Sequence, residues 1–201
     1  MHRNRSFQHV CHAALYLFML TPSTGHAAVT VYTSLATFQA AATSATLLVD
    51  FETRNALQAN PFTDHTLTFS STNSLYIITP ANPGTTSPLP PSRMLSASGI
   101  EDFTVVMPSA SAVGFTLLNN AYGPHTVTLT EVNNVPFVYH PTQAHNTIGF
   151  IGFTSTTAIV KLRWQSVNGQ IQNTALDNFY WQSLASPTTL TTWGRLKTLY
   201  R

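Results

Sequence analysis

The chain has 201 residues, of which 43% are apolar and only 8% charged, with nine Lys/Arg, seven Asp/Glu and one cysteine. That charge share is about a third of what a soluble domain usually carries, so Ser, Thr, Asn and Gln must cover the surface. Between the termini, four basic residues (Arg54, Arg93, Lys161, Arg163) stand against all seven acids, a net −3. Only Lys161 and Arg163 lie close together, which argues against a nucleic-acid partner, since neutralising phosphates takes clustered Lys/Arg.

In chain order, residues 1–27 read as a secretory signal peptide: a weakly basic start (His2, Arg3, Arg5), an apolar run over 10–20, and small residues leading to a cut after Ala27 with Gly25 at −3. The run is short of the roughly 20 apolar residues that a membrane span needs, and His12 interrupts it. Cys11 leaves with this leader, so the exported portion is expected to hold no disulfide and to rely on its core or a bound metal. One domain over 28–183 is expected, followed by a tail over 184–201 that mixes Leu, Trp and basic residues without strand alternation.

Within the domain, 29–33 reads as a strand, and Ser34 as the cap of a short helix whose Leu35, Phe38 and Ala42 share a face. A strand follows over 46–51. The segments 66–70 and 74–79 read as a hairpin turning at 71–73. Five prolines (Pro80, Pro83, Pro88, Pro90, Pro91) make 80–92 an irregular loop, long for a compact domain. Strands then recur at 94–97, 102–107, 112–118, 125–132, 137–140, 148–154 and 158–164, with a last one around Asp177. Short strands in such number, one short N-terminal helix and frequent turns predict an all-β fold: an antiparallel β-sandwich or jelly roll.

Four segments carry a resemblance: VDFE at 49–52, VGFTLL at 113–118, FIGFTST at 150–156 and LDNF at 176–179. In this order behind a leader, the chain resembles secreted bacterial β-sandwich proteins of the PEP-CTERM, exosortase-associated kind. That resemblance implies an extracellular protein. It covers the domain and not a sorting tail, because Ser186-Pro187 stands where a Pro-Glu-Pro motif would begin and no apolar helix follows.

Candidate chemistry is sparse. Asp50 and Glu52 alternate around Phe51, so on a strand both face away from the core. Asp177 and Asn178 lie on the last strand, which a jelly roll can place beside an early one. Two readings stand for this set: oxygen ligands of a structural Ca²⁺, which takes six to eight of them, or carboxylates and an amide that bond neighbouring backbone. Glu101 and Asp102 open a strand on opposite faces. His65, His125, His140 and His145 lack the spacing of a zinc site. No nucleophile elbow, metalloprotease helix or phosphate loop occurs, so no catalytic residue is named.

For ligand contact, Tyr76, Tyr122, Tyr139, Tyr180, Trp164 and Trp181 are candidate platforms for the apolar faces of sugar rings. Tyr122 is favoured, in a turn beside Asn119 and Asn120, whose amides suit hydroxyl recognition. The composite expectation is a secreted, non-catalytic domain at the cell surface or outside it, binding extracellular polysaccharide or matrix. The alternatives are a secreted glycoside or ester hydrolase using Asp50, Glu52, Glu101, Asp102 or Asp177, and a structural protein that self-associates through an exposed strand edge.

Overall fold

The computed structural model describes residues 28–84, 86–97, 102–119, 125–167 and 174–184. The leader, the tail beyond 184 and residues 120–124, with Asn120 and Tyr122, lie outside the described residues, as does Glu101. Those described form β1 (Val29–Tyr32), α1 (Leu35–Ala41), β2 (Thr46–Val49), β3 (Phe62–Asp64), β4 (Leu67–Ser71), β5 (Leu75–Ile78), β6 (Met94–Ala97), β7 (Asp102–Asn119), β8 (His125–Glu131), β9 (Pro136–Tyr139), β10 (Thr147–Ser166) and β11 (Ala175–Ser183). The strand pairings among the described residues are antiparallel, for example β1 with β10 and β8 with β9.

Two long strands organise the rest. The first half of β10 (147–154) pairs with the second half of β7 (112–119), and its second half (161–165) with the start of β7 (102–106), with register shifts between Thr154 and Lys161. Bulges let a strand bend and pass from one sheet to another. The result is two layers that share β7 and β10. One runs β5-β6-β11-β7-β10-β1, with β2 also on β11. The other runs β3-β4-β7-β10-β8-β9. The expectation of separate strands at 102–107 and 112–118, and at 148–154 and 158–164, is therefore corrected: each pair is one continuous strand. The Ser/Thr run at 155–157 bends the strand without ending it, and Ser155 Oγ donates to the buried Glu131 carboxylate at 2.6 Å there.

Period-two alternation explains the core. In β8, Val127 and Leu129 are fully buried while the intervening threonines are half-exposed. The layers meet through Phe69, Phe103 and Trp164 on one side and Phe115, Phe153 and Phe179 on the other. Phe115 lies edge-on to Trp164 at 6.2 Å, and Phe69 to Phe179 at 5.3 Å.

The helix covers the outer face of the first layer. Ser34 caps it as expected, its Oγ accepting from Thr37 N–H at 3.2 Å. Phe38 then sits on a dimple made by Gly114 and Gly152, which are direct partners in register. A Cβ on Gly152 would come within 2.5 Å of the Phe38 ring, and one on Gly114 within 2.5 Å of Phe150. Two strand glycines thus admit an aromatic pair.

The predicted hairpin over 66–79 is also corrected. β4 pairs with β3 and β7, whereas β5 pairs with β6. The Asn60 side chain explains the crossing, since its amide donates to Ser71 O (2.7 Å) and Asn73 O (2.6 Å) while its oxygen accepts from Ser71 N–H. That clamp carries the chain from one layer to the other where a tight turn would have doubled it back.

Candidate functional site

The VDFE and LDNF segments do become neighbours. Val49 pairs with Phe179 across β2 and β11, and the Phe51 ring packs edge-on against Phe69 (5.5 Å) and Phe179 (6.4 Å). Asp50 and Glu52, however, sit on a turn and not on a strand. β2 ends at Val49, Phe51 has φ 58°, and Glu52 N–H donates to Asp50 Oδ1 at 3.1 Å. The left-handed Phe51 keeps its ring in the core while Asp50 and Glu52 stay exposed, the facing that strand alternation predicts but reached here through a turn.

Asp177 has the opposite fate. It is 1% exposed. Its Oδ2 accepts from Ser92 Oγ at 2.6 Å and Asn178 Nδ2 at 3.0 Å, and its Oδ1 from Asn178 N–H at 2.7 Å. Asn178 adopts φ 51° at a bulge in β11, between the register pairs Asp177↔Thr116 and Tyr180↔Gly114. Burial pushes the Asp177 carboxyl up to about 7; the bonds from Ser92 and Asn178 oppose this, and the charges of Glu52 and Asp50 add to it.

This geometry does not fit the calcium expectation. Both Asp177 oxygens already accept hydrogen bonds, and Asn178 turns its amide N–H₂ toward the carboxylate. Glu52 Oε1 accepts from Arg93 N–H at 3.2 Å. Among the described residues no three His, Cys, Asp or Glu side chains are grouped to hold a metal. Of the acids offered for hydrolysis, Asp102 is held bidentately by Arg163 at 2.8 and 3.0 Å.

Asn119 and Trp164 are buried, whereas Tyr76, Tyr139, Tyr180 and Trp181 are half-buried. Asn119, read as a surface amide, is 1% exposed, and its Nδ2 donates to Gln143 O (2.9 Å) and Ala144 O (3.1 Å). It is therefore a strut for the loop after β9 and not a contact residue. Trp164 is buried against His125, Tyr180 packs near Phe38, Trp181 borders the main core, and Tyr76 packs on Ile78 and Met94. His65 bonds Asp64 at 3.0 Å, while His140 and His145 are exposed.

Of those described rings, Tyr139 lines a recess. A half-open cavity of about 240 Å³ is bounded by Thr33, Tyr139, Pro141, Thr142, Gln143, Gly149, Phe150 and Ile151. It forms where β1, whose register with β10 stops at Tyr32↔Gly152, leaves the edge of β10. The Tyr139 ring is braced edge-on against Phe153 at 5.8 Å. The Gln143 amide lies over Gly149, where a Cβ would come within 2.9 Å of it, and donates to Leu117 O (3.2 Å) and Thr147 O (3.0 Å). The wall therefore combines phenol, amide and hydroxyl groups with apolar surface, and no charged side chain lines it. Sequence reasoning named Tyr139 as one ring of six but missed the groove. Its other walls come from β10 and from a loop whose fold depends on the Asn119 contacts.

No family model matches the chain, and no curated protein matches it. Among solved structures the chain is similar to the family 11 carbohydrate-binding module of the cellulosomal cellulase Lic26A-Cel5E of Clostridium thermocellum. The identity there is 12% over 70% of this chain and 95% of that one, with a TM-score of 0.37. A family 11 module from Clostridium thermocellum, in complex with a β-1,3-1,4-mixed-linked tetrasaccharide, is similar at 11% identity over 64% and 95%, with a TM-score of 0.33. At that overlap neither structure says what this chain binds.

Proposed function

We propose that the protein is an exported, non-catalytic domain that binds neutral extracellular polysaccharide along the Tyr139 groove. The observation that carries this reading is the composition of the wall: an aromatic face and apolar floor beside amide and hydroxyl groups, without charge. Sugar rings present that same mixture, an apolar face ringed by hydroxyls. Stacking on a phenol ring supplies affinity, and the polar groups fix orientation. A charged glycan would lose water here without gaining a partner.

The volume, about 240 Å³, lies below the ~300–1,000 Å³ of pockets that enclose a drug-sized ligand. It suits one or two units of a chain passing through. Export places the domain where such polymers occur, and a sparsely charged, hydroxyl-rich surface suits that setting.

Co-sedimentation with insoluble polysaccharides (cellulose, chitin, xylan and mixed-linkage β-glucan) tests the reading. At least one should retain the protein, and Tyr139→Ala should weaken retention about tenfold or more. Since Tyr139 also braces Phe153, Thr142→Arg, on an exposed wall of the groove, serves as a second variant. Retention untouched by both substitutions, or no retention by any polymer, would overturn the proposal.

A further inference from the structure

We infer that the cavity between Glu52 and Arg93 is a second saccharide site, one that grips the vicinal hydroxyls of a neutral sugar without a stacking ring. The cavity measures about 360 Å³ and shares no residue with the Tyr139 groove. Glu52 lines it together with two arginines, Arg54 and Arg93. They do not pair with each other: the ion pairs among the described residues are Arg54–Asp64, His65–Asp64 and Arg163–Asp102.

Each charge is instead held in place from behind. Glu52 Oε1 accepts from the Arg93 backbone N–H at 3.2 Å. The Arg93 guanidinium donates through Nη1 to Arg54 O at 2.9 Å, which leaves its other N–H groups for the cavity. Arg54 is occupied elsewhere, bonded to Asp64 at 2.7 Å and lying over the Phe62 ring at 5.7 Å. The lining therefore offers N–H donors on Arg93 and carboxylate acceptors on Glu52, together with Thr53, Asn55, Thr79 and Asn82.

A pair of adjacent hydroxyls answers that arrangement, because each O–H both donates and accepts. One accepts from Arg93 while the other donates to the Glu52 carboxylate, and charge-assisted bonds of this kind are the stronger ones. An anionic ligand gains Arg93 but meets Glu52. A zwitterion, with its carboxylate on Arg93 and its ammonium on Glu52, is the competing chemistry, and the test separates the two.

The experiment is a two-dimensional NMR titration of the chain with gluco-, xylo- and chito-oligosaccharides, following the Arg93 Nε–H and the Tyr139 ring signals, with glycine and galacturonate as comparison probes. The expected result is a saturable shift of Arg93 Nε–H with at least one neutral oligosaccharide. Glu52→Gln should weaken it about tenfold or more, while Tyr139→Ala leaves it in place. Movement of the Tyr139 signals alone removes the second site and keeps the groove. Movement of Arg93 alone keeps the second site and removes the groove. An Arg93 shift seen only with glycine or galacturonate, or with nothing, overturns the inference.

Discussion

Asp177→Asn separates the cost of a buried carboxylate from everything else in the fold. Asp177 is 1% exposed, and its carboxyl is pushed from 3.8 up to about 7, first by burial and further by the charges of Glu52 and Asp50. Between those values the native chain keeps a proton that the unfolded chain has released. The stabilisation is thus complete below about pH 4, falls as the pH rises toward 7, and is gone above it. A shift of about three units at about 1.36 kcal/mol each gives a ceiling of ~4 kcal/mol, against about 5–15 kcal/mol for a whole domain. Asparagine has nearly the same shape and no charge. Urea unfolding from pH 4 to pH 8, in wild type and variant, isolates the effect, because titrating groups not coupled to Asp177 cancel in the difference. Relative to Asp177→Asn, the wild type should lose several kcal/mol across that range, with most of the loss below pH 7. A difference that stays constant with pH would refute the reasoning.

Other expected outcomes are simpler to read. Gly152→Ala pushes a methyl to within 2.5 Å of the Phe38 ring, and such overpacking costs about 1–3 kcal/mol, visible as a lower Tm. Ser34→Ala removes the helix cap and should cost about 1 kcal/mol in the same melt, with polysaccharide retention unchanged. Asn119→Ala deletes the bonds to Gln143 O and Ala144 O. It should loosen the groove loop and raise the apparent Kd for oligosaccharide several-fold, although Asn119 touches no ligand, and faster amide exchange at 141–146 would report the loosening. An unchanged Kd would show that the loop holds without it.

Much of the architecture was legible because it rests on local rules. Alternation in β8 marks its buried face, and Ser34 before Leu35, Phe38 and Ala42 marks a capped helix. What stayed hidden depends on contacts distant in sequence. A Ser/Thr run reads as a turn, yet in β10 it is a bend that stays paired on both sides. The Asn60 clamp, 11 and 13 residues from its partners, is invisible to any scan for hairpins. At the candidate sites, the nearness of VDFE to LDNF followed from placing an early strand beside the last. The positive φ of Phe51 and Asn178 did not follow, since neither residue type advertises it. Tyr139 was one ring among six, half-buried like Tyr76, Tyr180 and Trp181, until the cavity beside it set it apart.

The groove draws its walls from both layers: Tyr139 belongs to β9 in one, and Gly149 to Ile151 to the part of β10 in the other. Because β7 and β10 run unbroken through both, neither layer can peel away or slip sideways while its counterpart persists. Tension transmitted by a tethered polymer would load a shared spine of long strands and not a seam between two plates.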